Sequence, residues 1–129
     1  MNQTNEQRPN MRNLTIDDIT ACGVRGHYRL PAQRDKPCPN CAGEFRADVV
    51  ELVRGYIRTH WTPAKRLYRG RDSYGFKHDA ERALGVYVAN GEFIAAALAE
   101  GYRATQCEPS HPNAFFAVRQ TRTVRGYAR

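Results

Sequence analysis

No apolar run in the 129-residue sequence approaches the length needed to cross a bilayer. The opening residues, MNQTNEQRPNMRN, have neither the hydrophobic centre nor the cleavage pattern of a secretion signal. Both absences predict a cytoplasmic protein without membrane partners. There is also no glycine-rich phosphate loop, no HExxH, no G-x-S-x-G and no pair of carboxylates whose spacing places them across a substrate. The expectation is therefore a protein that is not an enzyme. The length predicts one compact core, or one small core beside a separately stapled module, rather than two full domains.

Negative charge is missing from two segments. Lys65, Arg66, Arg69 and Arg71 lie in one acid-free stretch, and Arg119, Arg122, Arg125 and Arg129 lie in another. These eight charges exceed the net charge of +7, so the rest of the chain sums to minus one. Two basic patches on a nearly neutral body suit a polyanion, most often nucleic acid, or an acidic protein surface. The competing reading is ordinary solubilising charge.

Residues 1–13 are polar and are expected to be disordered. Residues 14–20, LTIDDIT, suggest a short helix capped by Thr15. Between residues 22 and 45 Gly, Pro and Cys replace any sustained period, and a segment of that composition needs a staple to become ordered. Cys38-Pro39-Asn40-Cys41 has the two-residue spacing that lets both sulfurs reach one tetrahedral ion from a tight turn. It resembles the knuckle of a zinc ribbon. A regular ribbon would carry its other cysteine where Arg25 stands, so His27 is the substitute, and the expected zinc ligands are Cys22, His27, Cys38 and Cys41. The ribbon would have strands over residues 27–30 and 42–45. A redox pair and a disulfide are the competing readings of the CxxC, and Cys107 with His111 are a competing ligand source.

Asp48 to Glu51 form a D-x-x-E capping signal for a first helix. Val49, Leu52, Val53, Tyr56 and Ile57 fall on its apolar face, with Glu51, Arg54 and Arg58 opposite. His60, in the middle of the apolar side, reads as a partly buried side chain satisfied by one hydrogen bond. Thr62-Pro63 suggests a cap and first position for a second short helix over residues 63–71. In that piece Lys65, Arg66, Arg69 and Arg71 surround Tyr68, the mixture of cations and a stacking ring that suits nucleic-acid backbones and bases. The competing reading is a solvated basic linker.

Residues 73–101 carry the clearest helical punctuation. Ser73 can cap a helix that stops at Gly85, and Asn90 can cap another that stops at Gly101. On the first, Phe76, Ala80, Ala83 and Leu84 form the apolar stripe, Lys77 faces solvent with Glu81, and His78, Asp79 and Glu81 diverge too far to form an acid/base set. On the second, Phe93, Ile94, Ala97 and Leu98 are expected in the core, leaving Glu92, Ala95, Ala96, Ala99 and Glu100 opposite. A helix that reads the major groove needs long donors there. Alanine and glutamate supply none, so Glu92, Ala95, Ala96 and Ala99 are instead expected to contact a partner helix. Residues 102–105 and 114–119 have strand composition.

The resulting expectation is an α+β chain. A zinc-ribbon-like module (14–46) precedes a three-helix, helix-turn-helix or winged-helix-like domain (47–119) with a C-terminal β-hairpin, followed by a basic tail (120–129). The stretch from SYGFKHDAERALGVYVANGEFIAAALAEGY to PNAFF resembles short proteins of bacteriophages and other bacterial mobile elements. That resemblance implies no mechanism and supplies no site residues; it points to a regulatory or defence-countering role. Two function classes follow. One is a zinc-binding, nucleic-acid-binding accessory protein that uses Lys65, Arg66, Tyr68, Arg69, Arg71, Arg122 and Arg125. The other is an inhibitor or adaptor that targets a host protein. A homodimer is compatible with either.

Overall fold

A computed structural model describes residues 12–27, 32 and 38–120 of the chain. A short 3-10 turn at Ile16–Asp18 leads into a hairpin of β1 (Ile19–Thr20) and β2 (Gly23–Val24). Helix α1 (Ala47–His60) runs into strand β3 (Trp61–Tyr68). Helices α2 (Ser73–Leu84) and α3 (Asn90–Ala99) follow, then β4 (Ala104–Gln106) and β5 (Ala114–Gln120). Strands β3, β5 and β4 form one antiparallel sheet in that order, with β5 central. No helix among the described residues is long and apolar enough to cross a membrane.

The core forms where the apolar faces of the three helices meet one face of this sheet. Val53, Ile57, Phe76, Phe93 and Phe116 are wholly or almost wholly buried. Trp61 sits among them, with its ring 4.9–5.5 Å from those of Phe76, Phe93, Tyr102 and Phe116. Aromatic rings at these centroid separations and steep angles pair favourably beyond the area they bury. Trp61 is the residue at which α1 becomes β3, so the cluster fixes the angle between helix and sheet. Leu52 is the exception on α1: it is half exposed rather than part of the apolar face.

The terminators of α2 and α3 fall where they were expected, as does Thr15 at the N-cap position of the 3-10 turn, whereas the N-caps of α1, α2 and α3 do not. Gly85 and Gly101 adopt left-handed φ of 74° and 91° after α2 and α3. Asp72, not Ser73, caps α2 by accepting from the Gly75 N–H at 3.1 Å. Ser73 is fully buried, and its hydroxyl accepts instead from the Ala114 N–H at 3.0 Å. Asn90 does not cap α3 either; the Glu92 carboxylate accepts from the Ala89 N–H at 3.0 Å. At α1 the N-cap position is Arg46, with no side-chain cap, and Asp48 accepts only from its neighbour Val49. Lys77 is also displaced from solvent. Its side chain is buried on α2, with its ammonium 3.0 Å from Glu81 and over the rings of Tyr74 and Tyr87.

Residues 63–71 are not helical. Residues 61–68 form β3, an edge strand, and Pro63 is tolerated there because an edge position does not need its missing N–H. Pairing with β5 is interrupted between Pro63 and Tyr68 by a bulge. Residues 42–45 are not a strand; the hairpin of this module lies earlier, at β1 and β2, and the segment 28–30 lies outside the described residues.

The hairpin packs against the start of α3. The Gly91 N–H donates to the Ala21 carbonyl at 3.0 Å, and the Asn90 amide reaches the Cys22 and Pro112 carbonyls at 3.0 and 3.2 Å. The backbones approach so closely that a Cβ on Gly91 would lie 1.7 Å from the Thr20 carbonyl oxygen. This contact overturns the open Ala-rich face: Glu92, Ala95 and Ala96 are buried, and of the four residues assigned to a partner only Ala99 is exposed. Periodicity placed them opposite the core, but the hairpin and α1 cover that side.

Candidate metal centre and basic sheet

Cys22 occupies the turn between β1 and β2, and Cys38 and Cys41 flank the turn of the CPNC knuckle, where the Cys41 N–H donates to the Cys38 carbonyl at 3.2 Å. With His27, these residues bring four ligand atoms within 4.8 Å of one another. The Cys22 and Cys38 sulfurs are 3.7 Å apart, and His27 Nε2 is 3.3 Å from the Cys41 sulfur. Zinc–sulfur bonds of about 2.3 Å define a tetrahedron with edges of about 3.8 Å, and a mixed sulfur–nitrogen edge is somewhat shorter. The four residues therefore form a Cys3His group positioned to bind a metal ion.

A second layer holds the group. The Thr20 hydroxyl lies 3.4 Å from the Cys41 sulfur and accepts from the Cys22 N–H at 3.3 Å, so it touches both halves of the cluster. Such contacts orient ligands and tune their basicity. The thiols are electrostatically unequal. Burial, with the neighbouring Cys41 and Cys38, pushes the Cys22 thiol up to about 12. Burial also opposes ionisation of Cys38, but hydrogen bonds from His27 and Cys41 outweigh it and bring that thiol down to about 6. Sulfurs this close compete for negative charge, and a divalent cation would relieve that competition for all three.

Cys107 and His111 do not belong to this group. The Cys107 thiol is pushed up to about 12 by burial and by the nearby Asp72 and Glu108, and His111 Nδ1 accepts from the Asn113 N–H. His60 donates from Nδ1 to the Tyr56 carbonyl at 3.0 Å and packs on the Tyr56 ring, in agreement with its reading as a satisfied side chain. His78, Asp79 and Glu81 are absorbed in pairs: Asp79 with Arg71 and Arg82, Glu81 with Lys77 and His78.

The predicted basic segment divides between two environments. Lys65 and Arg66 project from β3 into solvent, and the Arg69 guanidinium lies 5.4 Å above the Phe115 ring. Arg71 turns the other way, making two hydrogen bonds of 2.9 and 3.1 Å to Asp79. Tyr68 is 45% exposed. Arg122 and Arg125 lie outside the described residues. One cation escaped the sequence reading: Arg103 donates across the bulge to the Lys65 carbonyl at 2.7 Å. Its signal was the alternation of buried Tyr102 and Ala104 around it.

Along β5, Ala114, Phe116 and Val118 enter the core, so Phe115 and Arg119 face outward. Arg119 thus lies on the outer sheet surface with Arg69 over Phe115, and exposed Lys65 and Arg66 on the β3 edge and Arg103 beside it extend the cationic patch. Among the described residues none of these five is within ion-pair distance of a carboxylate. The cations on or next to the helices, Arg46, Arg54, Arg58, Arg71, Lys77 and Arg82, all are. The sheet is consequently where most of the uncompensated positive charge of the described residues gathers; outside it, Arg25 also lacks a carboxylate and donates only to the Asp17 carbonyl. Compared with models of known protein families, with curated proteins and with solved structures, the chain shows no match.

Proposed function

We propose that this is a small zinc-binding accessory or regulatory protein that grips nucleic-acid backbone through its sheet and reads little sequence. The observation that carries the reading is the segregation of charge: acids neutralise the cations on and next to the helices, and five cations at the sheet have no carboxylate partner. Phosphate is the common ligand for such a surface, because arginine forks match its oxygens and counterions released from the polyanion favour binding.

Three helices followed by a hairpin, with a further strand after the first helix, is the order of a winged helix. In that architecture α3 would be the reading helix. Here its outward side is buried beneath β1 and β2, and Glu92 is tied to Arg46 rather than available to a base edge. This supports backbone contact over base readout. Zinc in the Cys3His group would have a structural role, since four protein ligands leave no coordination position for substrate, and it would hold the hairpin that covers α3. The resemblance of residues 73–118 suggests a setting in a bacterial mobile element. A host-protein inhibitor acting through the Ala-rich face is disfavoured, because that face is covered.

The test is binding of labelled duplexes and single strands of scrambled sequence across a range of salt, by the native chain and by a Lys65→Ala, Arg66→Ala, Arg69→Ala, Arg119→Ala variant. Similar affinities for all sequences, a steep salt dependence and loss of binding in the variant are expected.

A further inference from the structure

On the inner side of the β3 edge, between β3, the end of α1 and α2, lies a cleft of about 950 Å³ lined by His60, Tyr68, Arg71, Asp79, Arg82 and Gln120, among others. Its volume is within the range of sites for small organic ligands. The geometry points to this cleft as a pocket for a single nucleotide of a nucleic-acid strand, with the base against Tyr68 and a phosphate on Arg71 and Arg82. The inference rests on the nucleic-acid reading above and narrows its ligand to single strands, because a base paired in a duplex cannot enter a cleft.

Three observations support it. Asp79 draws both Arg71 and Arg82 to one carboxylate, so two positive charges share one negative and the local sum stays positive. Arg82 remains 68% exposed, and part of each guanidinium fork is left for an incoming oxygen. His60 uses Nδ1 on the Tyr56 carbonyl, which leaves Nε2 for a further polar contact.

Second, Tyr68 pairs in register with Phe116, a core residue, so its ring lies on the helix side of the sheet, 6.3 Å from Phe76. With 45% of its surface exposed it offers a ring already braced on one side, which is the form in which base stacking costs little side-chain entropy.

Third, the cleft is continuous with the cationic surface. Tyr68 and Gln120 also line a smaller adjoining pocket of about 330 Å³ together with Ala64, Val118 and Arg119. A strand held by Arg119 on the outer face and by exposed Lys65 on the β3 edge can thus turn over that edge and deliver one nucleotide past Tyr68.

The experiment measures fluorescence anisotropy of labelled oligothymidylate and of a hairpin duplex at low salt, with the full chain and with Tyr68→Leu, Tyr68→Phe and Arg82→Gln. Tyr68→Leu keeps apolar contact with Phe76 but removes the stacking ring, and should weaken oligothymidylate binding about 5-fold to 50-fold while changing duplex binding less than about 2-fold. Tyr68→Phe should bind like the native chain. Arg82→Gln should weaken single-strand binding and lower its salt slope by about 0.7. If circular dichroism shows that Tyr68→Leu does not fold, Arg82→Gln decides the matter alone. Single-strand affinity unchanged in both folded variants, yet lost in the four-residue sheet variant, would overturn the cleft and leave the sheet reading standing. Absence of binding to either probe by the native chain would overturn both.

Discussion

Replacing Gly91 by alanine separates a helix-propensity effect from a docking effect, because the two have opposite signs. Gly91 lies in the first turn of α3, where alanine should stabilise by about 0.5–1 kcal/mol if nothing touches it. The added Cβ would instead stand 1.7 Å from the Thr20 carbonyl oxygen and 2.7 Å from its carbon, both backbone atoms that cannot rotate away. The hairpin must therefore retreat by more than an ångström. That movement breaks the Gly91-to-Ala21 hydrogen bond and the contact from Asn90 to the Cys22 carbonyl, each 3.0 Å long. Two lost hydrogen bonds cost about 1 kcal/mol each, and overpacking adds about 1–3 kcal/mol. Net destabilisation of about 2–4 kcal/mol is expected in urea unfolding at a fixed free-zinc concentration. Zinc affinity, read by chelator competition, should fall in parallel, since Cys22 occupies the displaced turn. A Gly91→Ala protein as stable as the native chain, or more so, with unchanged zinc affinity, would refute the docking of the hairpin on α3.

Purified protein should carry about one zinc per chain. Thr20→Val, which removes the hydroxyl beside the Cys41 sulfur, should weaken zinc by about 10-fold to 100-fold; substoichiometric metal with four freely titratable thiols in the native protein would contradict the site. Acid should weaken the fold through Glu92. Its burial opposes ionisation, but hydrogen bonds from the Arg46 side chain and from the Arg46 and Ala89 N–H groups prevail and hold its pKa below the usual carboxylate value. A depressed folded-state pKa gives stability that is fully present above the unfolded value and is lost as pH falls through the folded one. The native chain should therefore lose more stability than Glu92→Gln as pH falls below about 5, a comparison in which the acid loss of metal is common to both. Parallel curves for the two proteins would contradict this role.

The parts of the fold legible in the sequence were those set by local chemistry. Gly85 and Gly101 ended their helices because only the left-handed region lets the chain leave there. The CPNC turn was legible from its two-residue spacing, and its distant partners Cys22 and His27 from the resemblance to a zinc ribbon, against the competing pair Cys107 and His111. The errors arose from contacts distant in sequence. Thr62-Pro63 is a good local helix start, yet pairing with Arg119 and Val118 makes it a strand. Ser73 is a good cap, but the backbone of Ala114 takes its hydroxyl and Asp72 caps instead. The Ala-rich side of α3 has the composition of an open contact surface, and nothing within the helix reveals that a hairpin 70 residues earlier covers it. Of the basic site, Lys65, Arg66 and Arg69 were legible as a run, whereas the diversion of Arg71 to Asp79 and the arrival of Arg103 depended on the sheet.

The central claim is that unpaired cations of the sheet hold phosphate, and the slope of log affinity against log salt tests it most directly. Five phosphate contacts at the sheet give a slope of about −4.5 on a duplex, and with the further contact in the cleft about −4.2 on a single strand. Removing Lys65, Arg66, Arg69 and Arg119 should bring the duplex slope close to that of a single contact. A native chain that binds neither strand at low salt, or a variant whose slope is unchanged, would contradict the claim.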